Sequence, residues 1–197
     1  MQIHPGPIKP IMFRLGEVLA WLPNRTTQQK RHSNKLLFRV ESEIPPVQQI
    51  RLKVEINCLE HFNVLGMQEV PFNMENGWFT GGTMLTTYHL EELVGTKVRA
   101  LYQRKKGRDL FDLYMALTTR ELDIQKVLEC YRKYIEFVAD KAPSYKEFTQ
   151  NMELKMQDEE FLEDVTPLLR PEIQFEPHAA YSLVHERLID RMPGRRD

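Results

Sequence analysis

Cysteine is scarce in this chain. Cys58 and Cys130 are the only two among 197 residues, too few for a disulfide framework and without metal-ligand spacing between them, so the expected setting is the reducing cytoplasm. Long hydrophobic runs are also missing. The most apolar early stretch, IMFRLGEVLAWL, is broken by Arg14 and Glu17 and is too short to cross a bilayer. No basic segment leading into an apolar core marks an export signal, so no membrane role is expected. A charge excess of either sign is lacking as well, since the formal net charge is −1, and global electrostatics select no partner. There is no internal repeat or low-complexity tract. Between Gly107 and Gly194 there is no glycine at all, which excludes glycine-rich loops from that half.

What is present has a clear order. From Ile11 the residues Leu15, Val18, Leu19 and Leu22 recur at helical spacing until Pro23-Asn24, predicting an amphipathic helix over 8–22. The polar stretch RTTQQKRHSN reads as a loop. Phe38 and Val40, and then Leu52, Val54 and Ile56, alternate with polar residues and predict two neighbouring strands with one apolar face. A third strand is expected near Met67–Phe72, before a turn-rich segment, NMENGWFTGGT.

After Thr87 the pattern becomes helical. Leu90 to Leu101, Leu110 to Leu117, and Ile124 to Val138 carry apolar stripes, with Asp123 as N-cap of the third. Ser144 and Glu147 form a capping-box pattern for a fourth helix, and further helices are expected around 158–169 and 178–192. The expected class is α+β, a small and incomplete β-sheet region over residues 1–87 followed by a helical domain over 88–197. Three strands make a thin sheet whose edges need cover, and self-association through those edges is one way to supply it.

Charge is concentrated locally. Lys97, Arg99, Arg104, Lys105, Lys106 and Arg108 fall within twelve positions, while acids crowd the segment from Glu147 to Asp164. Lys97 sits on the apolar stripe between Leu93 and Leu101, where a lysine either snorkels to water or meets an anion. Arg108, Asp109 and Asp112 open the next helix, where acids suit the helix dipole and Arg108 can pair with Asp112 at i,i+4. Asp112 lies between Phe111 and Leu113 and needs a cation, for which Lys97 and Arg104 are the candidates. Such a cluster is either a structural ion-pair network or a phosphate-binding site. Glu55, on the polar face of the strand RLKVEIN between Lys53 and Asn57, is either solvated or a carboxylate of a metal-dependent phosphoryl-transfer site.

Other patterns carry less. Gly81-Gly82-Thr83 reads as a turn, since no P-loop lysine follows it. Cys58 and His61 lack a second ligand pair for zinc, and His185, on a stripe with Tyr181, Val184 and Leu188, reads as a packed histidine.

Two blocks, IRLKVEIN at 50–57 and LEELVGTKVRALYQRKKGRDLFDLY at 90–114, resemble the third and fourth motifs of the AbiEii-like nucleotidyltransferases. These are toxins of type IV toxin–antitoxin and abortive-infection systems, related to the polymerase-β superfamily. The resemblance runs from about residue 36 to 118. It implies transfer of NMP from an NTP to a hydroxyl acceptor with Mg²⁺ as cofactor, an RNA acceptor such as a tRNA 3′ end, and a cognate antitoxin. It places Glu55 as the strand carboxylate for metal or acceptor hydroxyl, and Lys97, Arg104 and Arg108 on nucleotide phosphates. Asp109 would be turned into the site, with Asp112 bracing Lys97 or Arg104.

The family's first motif, Gly-Gly-[Ser/Thr] followed by Asp-x-Asp, does not occur in this sequence. Residues 1–10 resemble the connection that follows it, so the expectation is a chain without the N-terminal part of the fold and inactive alone. The alternative is a noncatalytic RNA- or protein-binding module using the basic run 97–108.

Overall fold

A computed structural model describes residues 5–193 apart from residue 31. Residues 1–4 of the expected N-terminal connection therefore lie outside the described residues. The chain divides into two compact units, Met1–Phe62 and Asn63–Asp197.

In the first unit, helix α1 (Lys9–Val18) is followed by strands β1 (Thr26–Lys30), β2 (Ser33–Glu41) and β3 (Gln49–Asn57), an antiparallel sheet in the order β1-β2-β3. Period two works as expected in β2 and β3. Leu36 stands opposite Val54 and Phe38 opposite Leu52, and Met12 of α1 joins Leu36, Phe38 and Ile56 in a small core. At the far end Ile50 and Leu52 remain exposed. The stretch read as a polar loop contains β1, in which every residue is exposed. Its sequence, TTQQK, has no apolar face to reveal it, and its strand form comes from the ladder with β2.

In the second unit, strands β4 (Met67–Glu75) and β5 (Thr80–Tyr88) form a hairpin. In the segment expected to be turn-rich, only residues 76–79 lie outside the two strands. Asn76 Oδ1 accepts from the backbone N–H groups of Trp78 and Phe79, both at 2.9 Å, closing the turn. Gly81-Gly82-Thr83 lies in β5, not in a phosphate loop.

The helical part runs α2 (Leu90–Gln103), α3 (Gly107–Thr119), α4 (Ile124–Ala139), α5 (Tyr145–Lys155), α6 (Glu159–Glu163) and α7 (Pro177–Arg187), with 3₁₀ turns at Thr166–Leu168 and Ile189–Arg191. The α+β class is as expected. Val98, Leu101, Leu110, Leu113, Val127 and Ile135 stand among the core residues. The α2 and α4 backbones meet at Gly95, where a Cβ would come within 2.7 Å of Cys130 Cβ and 2.8 Å of the Val127 carbonyl. A wholly buried carboxylate, Glu92, accepts from Val64 N–H at 2.8 Å, Leu65 N–H at 2.9 Å and the Tyr134 hydroxyl at 2.7 Å. It ties the entry loop to α2 and α4 through these three donors.

His185 packs edge-on against Tyr145 and Tyr181, with Nδ1 3.3 Å from Asp190.

Candidate active site

The corner between α2 and α3 gathers most of the residues singled out above. Helix α2 ends at Gln103, and Arg104 turns to extended backbone. The last carbonyls of α2, Leu101 and Tyr102, accept from the buried Lys155 ammonium at 2.5 and 2.8 Å. A cation at a helix C-terminus is favoured by the dipole. Burial nonetheless pushes this ammonium down to about 8. Helix α3 then starts on Gly107, where a side chain would collide with the Phe161 carbonyl.

Asp109, in the first turn of α3, is completely buried. Arg104 grips it with a fork, Nε to Oδ2 at 3.1 Å and Nη2 to Oδ1 at 2.7 Å, and Lys97 Nζ lies 3.4 Å from Oδ1. The Lys97 ammonium also meets Asp112 at 2.5 Å. So Lys97, Arg104, Asp109 and Asp112 form one network, in which Asp112 braces Lys97 and Asp109 holds Arg104. A guanidinium has five donor hydrogens and Asp109 occupies two, leaving the rest for another acceptor. Thr96, Lys97, Arg99, Ala100, Gln103 and Arg104 line an open groove of about 230 Å³. These positions form two adjacent rows on one face of α2, at i, i+3 and i+7.

Arg108 does not turn to Asp112, as local spacing suggested. It forms a fork with Asp164, Nε to Oδ2 at 2.9 Å and Nη2 to Oδ1 at 3.0 Å, while its backbone N–H donates to Oδ2 at 3.2 Å. The Arg108 guanidinium holds Asp164 down to about 2. Lys105 lies 2.6 Å from Asp158, and Lys106 lies 3.4 Å from Asp164. Sequence reasoning noted the acidic segment without seeing that it neutralises the basic run. Nor did it find Lys155, which a stripe pattern alone does not distinguish from a solvated lysine.

Glu55 belongs to the first unit, on the face of β3 opposite the core. Its carboxylate accepts from Ser33 Oγ at 2.7 Å and meets Lys35 and Lys53, each at 2.9 Å. Hydrogen bonding from Lys35, then Ser33 and Lys53, lowers it to about 2.

Compared with known families, residues 14–182 match the one described as Nucleotidyl transferase AbiEii toxin, Type IV TA system. The chain belongs to this family. No curated protein and no solved structure matches it. For an AbiEii protein the expected divalent metal requires several oxygen ligands. Glu55 has a lysine on each oxygen, and among the described residues no three carboxylate, histidine or cysteine side chains gather as a metal site. The described donor set therefore does not fit Mg²⁺ by itself. No helix among the described residues is long and apolar enough to cross a membrane.

Proposed function

We propose that this AbiEii-family chain serves the transfer of NMP from an NTP to a hydroxyl acceptor in the cytoplasm, with the 3′ end of tRNA as the first acceptor to test. The observation that carries the reading is the pair Lys97 and Arg104, fixed by a buried Asp109 beside a groove. Cations held in place before the ligand arrives suit phosphate oxygens, because little reorganisation is needed when charge develops. In this reading Lys97 and Arg104 steady the triphosphate. Asp109 and Asp112 position them, and Arg108 secures the start of α3 through Asp164. Glu55, held near 2, stays ionised and orients an acceptor hydroxyl by accepting its hydrogen bond.

Among the described residues the carboxylates do not gather as a metal cluster, and the further reading is that these 197 residues alone transfer no nucleotide. β1 and β3 are the edge strands of their sheet, and the reading includes self-association through such edges. The rival role for residues 97–108, a broad polyanion surface, is disfavoured because Asp109, Asp112, Asp158, Glu160 and Asp164 neutralise most of the run.

Two measurements on the purified chain test the proposal. NTP binding by titration calorimetry should weaken about tenfold in Lys97→Gln and in Arg104→Gln, the loss of one charge-assisted contact; binding indifferent to both would remove the phosphate role. Labelled NTP and tRNA should give no incorporation, and a Mg²⁺-dependent signal abolished by Glu55→Ala would overturn the inactivity.

A further inference from the structure

The register of the first sheet gathers a second set of cations on one face of the first unit. Directly opposed residues share a face, so Lys30, Lys35, Arg39, Arg51 and Lys53 all lie on the side of the sheet away from Met12 and Phe38. Against these five cations the same face carries two carboxylates, Glu41 and Glu55. Glu55 is shared by Lys35 and Lys53, and Glu41 accepts from Gln49. Among the described residues no carboxylate pairs with Lys30, Arg39 or Arg51, and all three are exposed.

Arg39 and Arg51 stand directly opposite one another. Like charges in that position destabilise a strand pair, and among the described residues no ion pair to either arginine offsets the cost. An anion lying across both strands would. Alternate residues along a strand are about 6.7 Å apart and neighbouring strands about 4.8 Å apart, so the face presents a regular array of cations rather than one point charge.

We propose that this face of the β1-β2-β3 sheet docks the sugar–phosphate backbone of double-helical RNA, with Arg39 and Arg51 as its central phosphate contacts. Regular charge is met by regular charge, and Gln28, Ser33, Gln49 and Asn57 on the same face add hydrogen-bonding groups for ribose and phosphate oxygens. The face has no aromatic residue on which an unstacked base could lie, which favours a duplex over a single strand. Its one apolar side chain, Leu37, is buried, leaving nothing to insert into a lipid surface. Glu55 lies on this face, so an RNA docked here is held against that carboxylate. This last step rests on the proposed nucleotidyl transfer; the docking does not.

The test reads binding alone, so that failure of the transfer reading leaves it intact. Fluorescence anisotropy with a labelled RNA hairpin is measured for the full chain between about 50 and about 200 mM salt. Wild type should bind with steep salt dependence. The double variant Arg39→Gln/Arg51→Gln should bind about tenfold more weakly, with the log–log salt slope reduced by about 1.8 for two lost phosphate contacts. Arg39→Lys/Arg51→Lys should bind and melt like wild type, while the Gln variant, freed of the opposed charges, should melt no lower than wild type. The proposal is overturned if wild type fails to bind the hairpin or the Gln variant binds as well. It is also overturned if Lys105→Glu/Lys106→Glu abolishes binding instead, or if phosphatidylserine vesicles are bound as tightly as RNA.

Discussion

Glu55 and Asp109 are both carboxylates ringed by cations, yet their settings differ in kind. Asp109 has no solvent exposure and is gripped by the Arg104 fork. Glu55 is about a third exposed and is met by two flexible ammonium groups and a hydroxyl. A buried carboxylate must keep its partners, because an unpaired charge in a dry site is severely unfavourable. An exposed one can exchange its lysines for water or a ligand. The helix corner is therefore built to hold cations still, and the strand is built to let an anion's neighbours change.

Removing one partner of Asp109 breaks this contrast most strongly. Arg104→Met leaves the buried carboxylate with Lys97 alone, and the expected loss is about 3 kcal/mol, measured as a lower urea midpoint at unchanged slope. Removing both charges, in Arg104→Met/Asp109→Leu, should recover much of that loss, since no unpaired carboxylate is then left in the buried position. A double variant as unstable as the single one would show that the corner depends on the carboxylate's shape and hydrogen bonds, not on its charge balance.

A smaller effect comes from Asp164, whose folded-state value of about 2 lies below the ordinary 3.8. A carboxylate shifted down stabilises the fold above its unfolded value, and the contribution disappears as pH falls through the folded one. Asp164→Asn should thus melt about 2 °C lower than wild type at neutral pH. The gap should begin to close below about pH 4 and be gone only below about pH 2. A gap independent of pH would assign the effect to the Arg108 N–H contact instead of the ion pair.

The helices of the second unit were legible because period and caps agree. Ser144 Oγ accepts from Glu147 N–H at 3.3 Å while Ser144 N–H donates back to the Glu147 carboxylate at 2.7 Å, and Asp123 caps α4 through the Gln125 and Lys126 N–H groups. Two strands escaped for different reasons. β1 buries nothing, so no pattern marks it, and β5 begins with the glycines that ordinarily signal a turn. In the candidate site, the grouping of Lys97, Arg104, Asp109 and Asp112 follows from one helix-turn-helix and was within reach of sequence spacing. The Arg108–Asp164 fork joins residues 56 apart, and Lys155 reaches α2 from 54 residues away. Such contacts depend on how α5 and α6 pack, which local periodicity does not encode.

The smallest effect should come from Glu55→Gln. The isosteric amide keeps a hydrogen-bond acceptor for Ser33 and releases Lys35 and Lys53, so stability should fall by no more than about 0.5 kcal/mol at low salt and by nothing measurable in concentrated salt. RNA affinity should move the other way. Deleting a negative charge from a cationic face raises attraction for phosphate, so the hairpin should bind a few-fold more tightly at about 50 mM salt, with the gain fading toward about 200 mM. The two readouts separate the roles of this carboxylate. A large stability loss would make Glu55 as structural as Asp109 and erase the contrast between strand and corner. Weaker RNA binding without a stability loss would mean that Glu55 orders the lysines on which the phosphates rest.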